Sequence, residues 1–134
     1  MSGPLLDRID IHIEVPAVQY RELRGGAASE SSACIRARVL NARELQRQRF
    51  SGAKEKIYSN AQMGTRQIRT FCELGADAEK LLERAMQQQG LTARAHDRIL
   101  KVARTIADLD AAARSLSNHV SEAIQCRSLD SIGA

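Results

Sequence analysis

Aromatic side chains are nearly missing from this chain of 134 residues, which has no Trp and only two Tyr and two Phe. A core without large rings has to be assembled from Leu, Ile, Val and Ala, and that suits packed helices better than a sandwich or barrel. Long apolar runs are missing as well. No stretch approaches the ~18 residues of a membrane span, and no secretory signal is read at the start. The three cysteines, Cys34, Cys72 and Cys126, lack any Cys-x-x-Cys spacing, and His12, His96 and His119 are scattered. This argues against a zinc site, so no metal ligands are assigned, and free thiols in a reducing cytoplasm are the expected state.

The signatures of nucleotide chemistry are absent too. There is no G-x-x-x-x-G-K-[ST] loop, no apolar strand ending in Asp-Glu and no G-x-G-x-x-G turn. No Ser, Cys or His arrangement suggests a nucleophile, and the carboxylates are dispersed among arginines. On its own the chain is not expected to be a catalyst.

The length fits one ordinary domain. Twenty Lys plus Arg against sixteen acids leave a net charge of +4, strongly skewed toward Arg. An excess of that size is compatible with phosphate-bearing partners without requiring them.

Near the start, in "SGPLLDRID", Arg8 opens an alternating run. Ile9, Ile11, Ile13 and Val15 alternate with polar residues until Pro16, which predicts a half-buried strand. Arg8 has Asp7 and Asp10 as neighbours with which it could pair on a strand edge. A lone strand leaves both edges unpaired, so its neighbours are expected in a second copy or, by preference, in a larger polypeptide.

From Pro16 to Ser29 the chain reads as an irregular, flexible connector around Gly25 and Gly26. Four to five helices follow. One runs from a cap at Ser29 or Ser31 to Phe50, with Ile35, Val39, Ala42 and Leu45 inward, a stripe of Arg36, Arg43 and Arg47, and Arg38 and Arg49 reaching past the apolar arc to solvent or an acid. After a loop to Asn60 a short helix spans Thr65 to Leu74. The next is capped by Asp77, carries Ala78, Leu81, Leu82, Ala85 and Met86 on one face, and stops at Gly90. Thr92 caps the best-patterned helix, to Leu109, with Ala95, Ile99, Val102, Ile106 and Leu109 in a stripe. The last runs from Ser117 to Arg127, with Val120, Ala123 and Ile124 inward.

On the polar side of the Thr92 helix, Arg94, Arg98 and Lys101 share a narrow arc, with Arg104 slightly off it. A solvated face is one reading. The other is an anion site, because Arg94 sits in the first turn, where free N–H groups and the positive dipole end favour a phosphate near Thr92 to Arg94.

Two long motifs, "GPLLDRIDIHIEVP" at 3–16 and "LTARAHDRILKVARTIADL" at 91–109, with "ESSACIRARVLNARELQRQRF" between them and "HVSEAIQCRSLD" near the end, resemble the C-terminal part of the magnesium-chelatase-like AAA+ ATPases of the YifB/ComM family. The resemblance covers nearly the whole chain. It implies that 1–16 is the last strand of a nucleotide-binding core, 17–29 a linker and 30–134 a helical lid domain. It also implies that Arg8 matches the arginine finger, acting in trans on the next subunit of a ring, and that Arg94 matches the sensor-2 arginine. A guanidinium suits both roles, since it stays charged and offers a fork of donors to a phosphoryl group.

By the same resemblance the parent protein binds and hydrolyses ATP with Mg2+, forms a homo-oligomeric ring, expected to be a hexamer, and works on DNA as a helicase or branch-migration motor linked to natural transformation. The fragment alone, without Walker motifs, binds neither cofactor. Arg98 and Lys101 are candidates for contact with DNA or a neighbouring subunit. The finger is expected to have nothing to touch in the isolated chain. A free-standing basic helical module that binds nucleic acid through the arginine stripes is the alternative, and an adaptor with an exposed apolar patch is a third.

Overall fold

A computed structural model of the protein describes residues 4–5, 8–25, 29–54 and 56–127. Among them six α-helices follow one another: α1 (Tyr20–Gly25), α2 (Ser32–Phe50), α3 (Thr65–Phe71), α4 (Ala76–Gln89), α5 (Ala93–Leu109) and α6 (Ser117–Gln125), with a 3-10 turn at Asn60–Gln62. The result is a small all-α domain, as the shortage of aromatics and the helical spacing imply.

Local chemistry sets the helix ends. The Ser31 hydroxyl accepts from the Cys34 N–H at 3.2 Å and the Thr92 hydroxyl from the Ala95 N–H at 3.1 Å; caps of this kind contribute about 1 kcal/mol each. The start of α4 is set by Gly75 rather than by Asp77, which lies inside the first turn with Glu79. Acids there complement the positive end of the helix without capping it. At the other end Gly90 takes a left-handed φ of 60°, and the Leu91 N–H reaches the Met86 carbonyl at 3.1 Å. α5 ends in the same geometry on Ala111, with φ 53° and a 2.8 Å bond from the Ala112 N–H to the Ala107 carbonyl.

α5 is the central helix. Its Ala95, Ile99, Ala103 and Ala107 recur every four residues and are at most 1% exposed, and on α6 Val120 and Ala123 are fully buried. Small side chains in a four-residue row leave a shallow groove that lets a neighbouring helix come close, and α5 packs most extensively against α6. Val102 and Ile106 of the predicted stripe are only half-buried and Leu109 is exposed, while Leu100, Arg104 and Asp108 turn inward.

The buried arc is rotated because its polar members are paired. The Asp108 carboxylate accepts from Arg49 at 2.9 and 2.6 Å and from Asn60 at 2.9 Å, and it forms an ion pair with Arg104 at 3.1 Å. Arg49 thus finds its acid, and Arg38 finds Glu30 at 2.6 Å.

Only the C-terminal half of α2 joins this core, through Ala42, Gln46 and Phe50. The Phe50 and Phe71 rings meet edge to face at 5.5 Å. Ile35, Val39 and Leu45 are exposed, contrary to the inward stripe expected of them: the N-terminal half of α2 contributes no buried residue, and in its C-terminal half the buried face is Ala42, Gln46 and Phe50, to one side of Leu45.

Before α2 the structure departs further from the sequence reading. The connector holds the short helix α1, where the Arg24 guanidinium donates to the Tyr20 hydroxyl at 3.2 Å one turn away. Residues 9–19 form no strand, and the one β-bridge among the described residues is parallel, between Leu74 and Ser115. A strand needs a partner, and among the described residues none is beside this segment. The alternation is also inverted: Ile11, Ile13 and Val15 face out while His12 is buried, because it is the polar groups of the segment that find partners on the helices.

The thiols are free, with Cys34 exposed and Cys72 buried. Burial pushes the Cys72 thiol up to about 11.

Candidate functional site

The α5 arc that carries the arginines faces a shallow cleft of about 390 Å3. Arg94, Asp97, Arg98 and Lys101 line one side, the stretch from Ala61 to Ile68 the other, and Asp10 closes one edge. Thr92 fixes the start of α5 by its cap but is not among the lining residues. Its bond accounts for the Ala95 N–H, whereas the N–H groups of Ala93 and Arg94 precede the first possible intrahelical acceptor.

The three cations of the arc are not equivalent. Arg98 Nη1 pairs with the Asp10 carboxylate and donates to the Arg8 carbonyl at 3.0 Å. Lys101 Nζ donates to the Ala61 carbonyl at 3.1 Å, at the 3-10 turn. Asp97 lies 3.1 Å from His96 Nδ1. Arg94 is exposed, and its guanidinium makes no hydrogen bond or ion pair among the described residues. Such a cation beside a 17-residue helix N-terminus suits an anion.

Arg104, which the sequence set slightly off the arc, belongs to the interior. Its Nη1 and Nη2 donate to the Ala113 and Ala112 carbonyls at 3.1 and 2.7 Å, and Nη2 also meets Asp108.

The Arg8 guanidinium is exposed and is not among the cleft-lining groups, but its backbone is held. Asp7, one of the two carboxylates that the sequence offers it, lies outside the described residues. Asp10, the other, pairs with Arg98 instead. Two contributors were not legible in advance: Asp10, read as the polar side of a strand, and Arg127, whose Nη1 donates to the Ile9 carbonyl at 3.1 Å. Their only sequence signal is the Arg8-x-Asp10 spacing. Among the described residues no group of three His, Cys, Asp or Glu side chains stands together to hold a metal, and no helix is long and apolar enough to cross a membrane.

Fold and cleft together define a helical domain whose central helix presents, in its first turn, an arginine with no partner among the described residues. A protein-family model, that of the C-terminal domain of the magnesium chelatase subunit ChlI, matches residues 29–127, and the chain belongs to this family. It is 40% identical over 130 residues to the competence protein ComM of Haemophilus influenzae, covering 96% of this chain and 24% of that protein. It is 39% identical over 131 residues to the uncharacterised protein YifB of Salmonella typhimurium and to that of Escherichia coli, covering 97% of this chain and 25% of each relative. The chain therefore spans about a quarter of the length of these relatives, and the matches include the Arg8 segment that precedes the family model.

Proposed function

We propose that the chain is the lid domain of a ring-forming AAA+ ATPase, in which Arg94 senses bound ATP and Arg8 acts as an arginine finger on the nucleotide of the next subunit. The observation that carries this reading is Arg94 itself, an unpaired cation in the first turn of α5. Arg98 and Lys101 on the same face spend donors inside the chain, so Arg94 is the one left for a phosphate. A nucleotide phosphate fits these groups, and Arg94 with the first-turn N–H groups would hold it.

Mg2+ would be held with ATP by the remainder of the protein, since the described residues offer no cluster for it. ATP supplies the phosphoryl group, and the two arginines supply fixed positive charge, Arg94 to bind and Arg8 to stabilise charge that develops on transfer. The lid is expected to turn relative to its core as nucleotide binds and leaves. The name of the Haemophilus relative, a competence protein, is in keeping with work on DNA during natural transformation.

The test is ATP turnover by the full-length protein. Arg94→Ala should lower nucleotide affinity, and Arg8→Ala should lower kcat by 10³-fold or more, on the order of what an arginine finger contributes. Wild-type turnover in both would sink the assignment. Rings mixed from Arg8→Ala subunits and subunits with an inactive nucleotide site should regain activity if the finger works in trans.

The free-standing nucleic-acid module makes a different prediction. It requires DNA binding by this chain alone, falling steeply with salt. Against it, Arg47 is paired with Glu44 at 2.6 Å and Arg98 with Asp10, which leaves the two stripes with fewer free cations than the sequence suggests.

A further inference from the structure

We propose that Arg98 and Arg127 form a clamp that positions the backbone around Arg8, so that the finger segment and the sensor helix move as one body. The proposal rests on the reading of Arg8 and Arg94 given above. Two consecutive carbonyls are held from two different places in the fold: that of Arg8 by Arg98 Nη1 of α5 at 3.0 Å, and that of Ile9 by Arg127 Nη1, in the turn just past α6, at 3.1 Å. The same Arg98 nitrogen pairs with the Asp10 carboxylate, and the His12 N–H donates to the Cys126 carbonyl.

The arrangement fixes a main chain and leaves a head group free. The Arg127 residue is 3% exposed and the Arg98 side chain 28%, while Arg8 is exposed. A finger's long side chain delivers charge accurately only if its Cα is held, and a misplacement of about 1 Å at a reacting centre can cost on the order of 100-fold in rate. Arg98 lies one turn beyond Arg94 on the same face. An anion that moves the start of α5 through Arg94 therefore shifts Arg98 and, through two hydrogen bonds, the residues that carry Arg8. Arg98 and Arg127 are positioning residues that act through Arg8 without touching the nucleotide.

The experiment uses the full-length protein and separates ATP affinity from turnover. Arg98→Ala should lower kcat by about 10- to 100-fold and leave the Kd for a fluorescent ATP analogue within about twofold of wild type. Asp10→Asn, a milder change at the surface, should shift kcat the same way by less, and the double variant should be no worse than Arg98→Ala alone, because the contact with Asp10 is already lost with Arg98. In mixed rings, Arg98→Ala subunits should regain turnover when partnered with subunits whose own nucleotide site is inactive but whose Arg8 is intact, just as Arg8→Ala subunits do.

A merely structural Arg98 would give no such rescue, and that result overturns the clamp. Wild-type turnover in Arg98→Ala while Arg8→Ala is inactive overturns it as well. If Arg8→Ala itself turns over normally, the finger assignment fails first, and the proposal goes with it.

Discussion

Asp108 offers the sharpest test of what holds the domain together. Its carboxylate is fully buried, accepts three hydrogen bonds, two from Arg49 and one from Asn60, and forms an ion pair with Arg104, joining α2, the 3-10 turn and α5. In Asp108→Ala the guanidinium groups of Arg49 and Arg104 remain, with side chains 14% and 5% exposed, and lose their counter-charge. Breaking a buried pair from one side costs about 3–5 kcal/mol, a large part of the ~5–15 kcal/mol that stabilises a domain.

At roughly 3–5 °C per kcal/mol for a chain of this size, the melting temperature should fall by about 10–20 °C. Thermal unfolding followed by circular dichroism at 222 nm reads this directly, with Glu44→Ala as a control that removes an exposed pair and leaves the midpoint where it was. A drop of less than about 3 °C in Asp108→Ala would refute the network as a principal support of the fold.

The same residue fixes a pH dependence. Burial pushes the Asp108 carboxyl upward, but the hydrogen bonds from Arg49 and Asn60 and the positive charges of Arg49 and Arg104 outweigh it, so its pKa is held below the usual carboxylate value. A group depressed on folding stabilises fully above its unfolded value of about 3.9 and loses that contribution as pH falls through the folded value. Wild-type stability should therefore decline from about pH 4 downward, and Asp108→Ala should lack this part of the decline.

Two other predictions concern helix ends. Gly90→Ala should cost about 1 kcal/mol through its left-handed φ alone, since nothing lies within 4 Å of the added carbon, and Ala111→Gly, at an exposed position with φ 53°, should gain about 0.5–1 kcal/mol; urea denaturation of both variants checks the opposite signs. Arg94→Glu should raise the midpoint of this chain by about 1–4 °C, because an acid in the first turn complements the helix end where the arginine opposes it. An equal or lower midpoint would count against the placement of Arg94 in that field.

Where the fold was legible, the determinant was local. Ser31, Thr92 and Gly90 mark helix ends through contacts within five residues, and the sequence shows them directly. Facing directions were harder to read, because they depend on partners that are remote in the chain. Arg49 and Asp108 are 59 residues apart, and their pairing is what turns Asp108 inward in place of Leu109. The segment after Arg8 shows the same effect more strongly. Alternation identifies two faces but not which is buried, and here hydrogen bonds from helices some ninety residues or more away bury the polar one. Arg94, Arg98 and Lys101 were legible as one arc, whereas Asp10 and Arg127 carry no helical periodicity that would connect them to it.

A stripe of cations on a helix looks the same in sequence whether it meets water or a ligand, and the difference lies in which carboxylates and carbonyls reach it. On α5 the structure supplies Asp10 and the Arg8 carbonyl to Arg98, and the Ala61 carbonyl to Lys101. Arg94 receives neither among the described residues, yet it occupies the turn where a positive charge is least favoured, at a cost of about 0.3–1 kcal/mol. Stability alone would place an acid there, as α4 does with Asp77 and Glu79 in its first turn. With its neighbours on the arc already engaged, Arg94 is the cation of this face whose donors remain open among the described residues, and it is there that the proposed anion would bind.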